Sequence, residues 1–437
     1  MKNLFWLKSI QQITYFFIIG FIFYLITACH KNDKKSTYTI LPDENNGGLT
    51  LPAGFSALIV ADDLGNGRHI VVHETGDIYL SLNDMNNNGG IVAMRDTDGN
   101  GRADSIQYFG DYTGTGIEIH KGYLYFGSNF EIIRYPLVPG QLVPETNPQI
   151  IAKGFVRDPQ HASKTFAFDS SGNMYVNVGA PSNACQQPDR TPGVPGVDPC
   201  PILEYAGGIW VFKDDGRNQE QLTEGERFAT GLRNSVAITW NPNTKKIYVL
   251  QHGRDQLSQF YPDLYTQQQN AELPAEEFFE IEKGDDAGWP YCYYNPINNK
   301  KTLAPEYGGN ADSVGRCEEK KKPLIGFPAH TAPNDIVFYT STMFPEHYQN
   351  GAFIAFHGSW NRAPEKQEGF YVAFVPFKDG KVSGDWEIFA NGFAGVDPVL
   401  SPADAQFRPC GLAMGPDGSL YVADSKKGRI WRIIYTG

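Results

Sequence analysis

Near the C-terminus, short apolar runs alternate with turn residues. Leu420 to Ala423 and Arg429 to Tyr435 are aliphatic and aromatic, Lys426-Lys427-Gly428 separates them, and Gly411 to Met414 forms a further run upstream. Pro416-Asp417-Gly418 lies between Met414 and Leu420, a tight-turn signal in which Pro fixes φ and Gly is free to take positive values. Runs this short between such turns predict three strands of a β-meander.

The same pattern recurs upstream, each time as an apolar triplet with an aromatic ring just after a turn. The copies are Ile78-Tyr79-Leu80, Tyr123-Leu124-Tyr125, Met174-Tyr175-Val176, Ile247-Tyr248-Val249 and Ala352-Phe353-Ile354, with Leu420-Tyr421-Val422 the last. One meander cannot bury both faces of its sheet, so self-similarity in a strand-rich chain predicts radial or stacked repetition. Six copies predict an all-β fold, a six-bladed β-propeller of four-stranded antiparallel blades. The first blade is expected over Leu51 to Leu82, entered through Phe55 to Val60. Intervals between copies lengthen toward the C-terminal half, so the later blades carry insertions, and insertions on one face of such a ring build sites.

Length changes little in this picture, because all-β toroids run long as single domains. The expected organisation is a leader over 1–28, a flexible tether over 29–48 and one propeller over 49–437. A hydrophobic fraction of 41% and an aromatic fraction of 13% are ample for a packed core. The net charge of −12, with no basic stripe, excludes a nucleic-acid partner.

In the leader, Lys2 and Lys8 precede the apolar stretch Ile13 to Ile26, which is too short to span a bilayer. It ends Leu25-Ile26-Thr27-Ala28-Cys29, which resembles a bacterial lipobox cleaved before Cys29. The expectation is an extracytoplasmic protein anchored to a membrane by lipid on Cys29; the alternative is an ordinary signal peptide with an incidental cysteine. In an oxidising compartment, Cys185 with Cys200 and Cys292 with Cys317 are the natural local disulfides, which leaves Cys410 as a buried thiol. No cysteine or histidine spacing suggests zinc.

Four polar clusters are candidates for chemistry. Asp96, Asp98, Asn100 and Asp104, with the carbonyl of Arg102, have the alternate-position oxygens of a calcium loop. Gln107 at the twelfth position cannot supply the usual bidentate carboxylate, and a polar hairpin turn is the plainer reading. His161 stands at the mouth of a strand on the inner face, where an imidazole serves as a general base or as a structural group. Arg233 and Asn234 open another inner strand, and a guanidinium there orients a planar, anionic or carbonyl-bearing ligand through its fork of donors. Gln251-His252-Gly253-Arg254 ends the strand that follows.

In order and spacing, these elements resemble the soluble quinoprotein sugar dehydrogenases, the glucose/sorbosone dehydrogenase family of six-bladed propellers that use pyrroloquinoline quinone (PQQ). The resemblance rests on His161 ahead of Gly172-Asn173-Met174-Tyr175-Val176, Gly231-Leu232-Arg233-Asn234, Gln251 to Arg254, Glu277 through Lys283-Gly284 to Gly288-Trp289-Pro290, Ala332-Pro333, and Phe407-Arg408. It implies PQQ and calcium in the central funnel, His161 as the base that removes a hydroxyl proton, and hydride transfer to the quinone. It further implies that Arg233 stabilises the developing oxygen charge, Asn234 and Arg408 hold the cofactor, and the Gly253 and Arg254 carbonyls ligate its calcium. The partners implied are a sugar substrate and an external electron acceptor. The glucose enzymes have a Lys where this chain reads Phe356-His357-Gly358-Ser359-Trp360-Asn361-Arg362, so His357 or Arg362 is expected to replace that cation. This wording is closer to the sorbosone-like and pyranose-oxidising branch. Two other classes share the repeats: a propeller lactonase or metal-dependent sugar hydrolase, and a non-catalytic NHL-type binding propeller.

Overall fold

The computed structural model describes residues 40–145 and 147–437. Each apolar triplet lies on the second strand of a four-stranded antiparallel blade, and six such blades close into a ring; the second gains a fifth strand, Gln219–Glu220, paired parallel to Gln149–Lys153. Their innermost strands are Gly67–Val72, Gly114–His120, Phe166–Phe168, Ala237–Asn241, Pro333–Phe338 and Pro409–Met414, each against the next and the last against the first. This is the expected six-bladed β-propeller. The rings of Tyr79, Tyr175, Tyr248, Phe353 and Tyr421 are all buried. They fill the wedges between blades, where apolar burial of about 25 cal/mol per Å2 drives the packing.

Two boundaries differ from the sequence reading. Phe55–Ala61 does not enter the first blade; it pairs antiparallel with Ile430–Tyr435 and is the outermost strand of the sixth. A ring of sheets needs its two ends joined, and hydrogen bonds from an N-terminal strand to the last meander do this. The compact unit also begins at Leu41, inside the expected tether. Asp43 accepts the Ile59 N–H at 2.7 Å and pairs with Arg102 at 2.8 Å, and the Gly47 carbonyl accepts the Trp431 indole N–H at 3.0 Å. Polar composition suggested a flexible segment there, but these specific partners fix it. The expected leader and Cys29 lie outside the described residues. Among the described residues no helix is long and apolar enough to cross a membrane.

Both expected disulfides, Cys185–Cys200 and Cys292–Cys317, are present, and Cys410 is a buried free thiol. The insertions fall where the lengthening intervals put them. Blades three, four and five carry long segments between their second and third strands, over 179–207, 252–275 and 357–370, while the second blade turns over 129–131.

Candidate active site

The innermost strands begin on one face of the ring, and the three long insertions stand on that same face. Residues entering those strands therefore meet residues leaving the second strands in one crevice. His161 enters the third blade with φ of +57°, a left-handed conformation that costs a non-glycine residue energy unless its surroundings hold it. Gly179 provides the room: a Cβ there would lie 2.6 Å from the His161 carbonyl oxygen, 2.7 Å from its Cβ and 2.8 Å from Asn234 Oδ1. His161 Nδ1 lies 2.6 Å from the Ala180 carbonyl. A carbonyl only accepts, so Nδ1 carries the proton and the neutral ring keeps its lone pair on Nε2. Burial, and then the Arg233 charge, hold its pKa well below the ordinary imidazole range. The ring is consequently neutral at physiological pH.

Arg233 is buried at 3% exposure and organises the crevice wall. Its guanidinium donates to the Gly253 carbonyl at 2.9 Å, to Asn183 Oδ1 at 3.0 Å and to Asp255 Oδ2 at 2.9 Å. Its backbone carbonyl accepts the Ala180 N–H at 2.8 Å, so the residue whose carbonyl fixes the His161 tautomer is itself held by Arg233. Burial alone would raise the Asp255 pKa; Arg233 and Arg190 outweigh it and hold the carboxyl well below its usual range. The Arg233 Nε is buried with no partner among the described residues. An orphaned donor beside a neutral imidazole is a place for an acceptor atom of a ligand. Asn234 Oδ1 accepts from Asn177 Nδ2 at 3.2 Å, and the Asn234 carbonyl accepts the His252 N–H at 2.8 Å. Asn234 thereby ties blade three to blade four beneath His161.

The opposite wall carries Arg408 and His357. Arg408 donates to the carbonyls of His357 and Gly358 at 3.1 and 2.6 Å, and His357 Nε2 lies 2.7 Å from Ser425 Oγ. Burial lowers the Arg408 pKa to about 10 and pushes that of His357 well below normal, with the Arg68 charge adding to both shifts. Arg68 also depresses His252, which burial brings to about 4. The crevice thus gathers Arg68, Arg190, Arg233 and Arg408; among the carboxylates near them, Asp255 pairs with Arg233 and Arg190, Asp189 lies 3.9 Å from Arg190, and Asp424 accepts the Arg408 N–H.

Several expected residues are spent differently. Arg362 donates to the carbonyls of Lys366, Ala271 and Ala329 and to Glu368, so it braces the insertions of blades four and five, and His357, held neutral by burial, carries no charge in its stead. The Arg254 side chain is paired with Glu306 in the interior at 2.5 Å. Its carbonyl makes no hydrogen bond among the described residues, whereas that of Gly253 already accepts from Arg233. Glu276 holds the Gly253 and Ala332 N–H groups at 2.9 and 3.2 Å, and burial raises its pKa to about 7. The carboxylates of Asp96, Asp98 and Asp104 converge within 4.8 Å, but on the face of the ring away from the crevice. There Asn100 bonds Asp98 and Arg102, the Arg102 side chain turns to Ile59 and Asp43, and Gln107 is exposed on a strand, pointing to no common centre.

Sequence reasoning missed Arg68, Asp255, Asn183, Arg190 and Gly179. Arg68 had a usable signal, since it enters an inner strand as Arg233 and Arg408 do. Asp255 directly follows the Gln251 to Arg254 run. Asn183 lies two residues before the first disulfide loop and Arg190 within it, and no local pattern gives the fold of that segment.

A propeller with a cation-rich crevice around a tautomer-fixed histidine is the class the geometry defines. The TrAA12-like family model matches residues 49–436, and the chain belongs to that family. A PQQ-dependent pyranose dehydrogenase of Coprinopsis cinerea is 28% identical over 243 residues, 48% of this chain and 31% of that protein. An uncharacterized protein of Borreliella burgdorferi is 24% identical over 303 residues, 67% of this chain and 63% of that one. The chain spans less than two thirds of the length of both relatives. Among solved structures, the holo PQQ domain of the C. cinerea pyranose dehydrogenase superposes with TM-score 0.69 at 20% identity, covering 88% of this chain and 97% of that one. A calcium structure of the Trichoderma reesei AA12 enzyme gives 0.71 at 17% identity, covering 91% and 99%. At these identities the structural likeness concerns the fold.

Proposed function

We propose that the chain is a PQQ-dependent dehydrogenase that oxidises a sugar at a hydroxyl-bearing carbon and passes the electrons to an external acceptor. The observation that carries this reading is His161, neutral, with its lone pair on Nε2 and its other nitrogen fixed, beside the unpartnered Nε of Arg233. PQQ is a planar tricarboxylate, and the cluster of guanidiniums from Arg68, Arg190, Arg233 and Arg408 suits such a charge. When bound, it supplies a quinone that accepts two electrons with the substrate hydrogen.

Every other role falls to the chain. His161 Nε2 takes the hydroxyl proton as general base. Arg233, rigid on Asp255 and Asn183, faces the oxygen on which charge develops and needs no reorganisation to do so. Asn234, Arg408 and His357 hold the cofactor's edges. Calcium at the crevice would use the Arg254 carbonyl and the second lone pair of Gly253. A second calcium on Asp96, Asp98, Asn100, Asp104 and the Arg102 carbonyl would be structural, away from the chemistry. We place the protein outside the cytoplasm, with lipid on Cys29 as its anchor. The two disulfides favour that compartment.

The test is dye reduction with a panel of aldoses after reconstitution with PQQ and calcium, comparing wild type with His161→Gln. Removing a positioned base lowers kcat by about 10²-fold or more while PQQ binding, read by absorbance, is kept. A base must be unprotonated, and its pKa is depressed, so the wild-type rate is flat through neutrality and falls only on the acid side of the normal imidazole range. Wild-type turnover in His161→Gln, at equal PQQ loading, would end this reading.

A further inference from the structure

Trp360 is the exposed tryptophan among the described residues, with 47% of its surface open. It stands on the blade-five insertion, on the same face as the crevice. The backbone on either side of it is fixed from opposite walls. On one side, Arg408 of blade six holds the carbonyls of His357 and Gly358. Gly358 also lies against the Phe370 ring, where a Cβ would come within 2.3 Å. On the other side, Asn361 is buried, its Oδ1 accepting the Gln256 N–H at 3.2 Å and its carbonyl accepting from Asn270 Nδ2 at 2.8 Å. Gln256 is the neighbour of Asp255 and accepts from Arg190 at 2.6 Å. The short helix Gln267–Glu272, with its Thr266/Gln269 capping box, carries Asn270 and so steadies this second anchor. The chain at Trp360 therefore runs between residues bound to two walls of the crevice, and its indole is half open.

Proteins bury a tryptophan of this size when they can, and Trp210, Trp289 and Trp431 are buried here. A fixed backbone that leaves an indole open presents a flat apolar surface at little ordering cost on binding. The other exposed aromatic on this face, Phe130, has Arg157 over its ring at 4.8 Å. Trp360 is uncovered. A pyranose ring has one face lined with C–H groups that stacks on such a surface. On the dehydrogenase reading the ring being oxidised lies against His161 in the third blade, whereas Trp360 belongs to the fifth, so a ring on Trp360 is taken as a second one.

We infer that Trp360 is a platform for a second sugar ring, and that the substrates are saccharides of two or more linked rings whose terminal unit enters the crevice. This rests on the dehydrogenase reading for its second half only. The experiment compares glucose, cellobiose and cellotriose, with maltose and maltotriose in parallel, as substrates of the reconstituted enzyme and as ligands of the PQQ-free protein followed by tryptophan fluorescence. Trp360→Ala raises KM for the two- and three-ring sugars roughly 3- to 10-fold, leaves glucose KM and kcat within about twofold, and abolishes the fluorescence response. Trp360→Phe keeps most of the affinity. Equal losses on glucose and on the longer sugars, no loss on either, or a wild-type fluorescence response that persists in Trp360→Ala overturns the platform. Longer sugars that shift Trp360 fluorescence without being oxidised by the wild type would overturn the dehydrogenase reading and leave the platform standing.

Discussion

The crevice and the channel beneath it share an axis and the same six inner strands, yet Asp255 in one and Asp335 in the other are shifted in opposite directions. The channel, about 390 Å3, is lined by all six blades and holds Glu118, Asp335 and His69. Burial raises Glu118 to about 7 and Asp335 well above the carboxylate range, and it lowers His69 to about 3. Asp335 accepts the Leu412 and Ile336 N–H groups at 2.8 and 2.9 Å and has His69, held neutral by burial, at 3.9 Å, but among the described residues no guanidinium pairs with it. Asp255, under the same desolvation, moves the other way because Arg233 and Arg190 reach it. Desolvation is common to both regions; the partner decides whether the charge survives. Glu276 in the crevice wall, held by two backbone N–H groups, is raised to about 7 as Glu118 is, so the partner and not the region decides.

The sharpest way to break this contrast is to remove the partner in the crevice. Arg233→Met removes the buried partner of Asp255 and leaves it only the more exposed Arg190 at 2.9 Å, so the expected loss in urea unfolding is at most about 3–5 kcal/mol, that of a fully broken buried pair. Arg233→Met with Asp255→Asn recovers part of that loss, because the stranded charge is gone. If the single and double variants are equally unstable, the pair is not what keeps Asp255 ionised.

A smaller effect follows from crowding His161. Gly179→Ala pushes a methyl against its carbonyl, so kcat falls by about 10²-fold through misplacement while most of the stability remains. A variant with normal kcat would show that His161 need not hold the observed position.

Smallest is the reverse experiment in the channel. A carboxyl whose folded pKa is raised penalises the folded state above the unfolded pKa, so removing it stabilises there. Glu118→Gln is expected to raise stability by roughly 1–3 kcal/mol above pH 7, after allowance for water in the channel, with the gain shrinking as pH falls and vanishing below about pH 4.5. Melting curves at pH 4.5 and 8 check the sign. A gain at pH 4.5 equal to that at pH 8 would mean that Glu118 is not held neutral.

The repeats were legible because each blade writes its own turn and triplet, and local patterns survive in one sequence. His161, Arg233, Asn234, His357 and Arg408 were legible because each borders a strand whose direction the meander sets. What stayed hidden depends on closure of the ring. Phe55–Ala61 reads as a good strand whichever blade receives it. Glu118 and Asp335 sit on inner strands where alternation permits a polar residue, and only the ring brings them to a common axis. Arg362 stands in a run rich in candidate ligands, and nothing local shows that its donors turn to the carbonyls of Ala271 and Ala329.

The strand Phe55–Ala61, bound to Ile430–Tyr435, also sets the order of assembly. Each of the first five blades can form from neighbouring sequence as the chain is made, but the sixth has no outer strand until both ends of the propeller meet. Contacts so distant in sequence incur loop-closure entropy before any gain, so sealing is expected to be slow and late. Until then the Phe55 ring, which packs edge-on against Phe344, Tyr348 and Phe389 in the finished protein, has no cover. Truncation after Gly428 would therefore unlatch the ring instead of shortening it, while a circular permutant with joined ends and new termini in the exposed 401–404 turn would fold with its latch already closed.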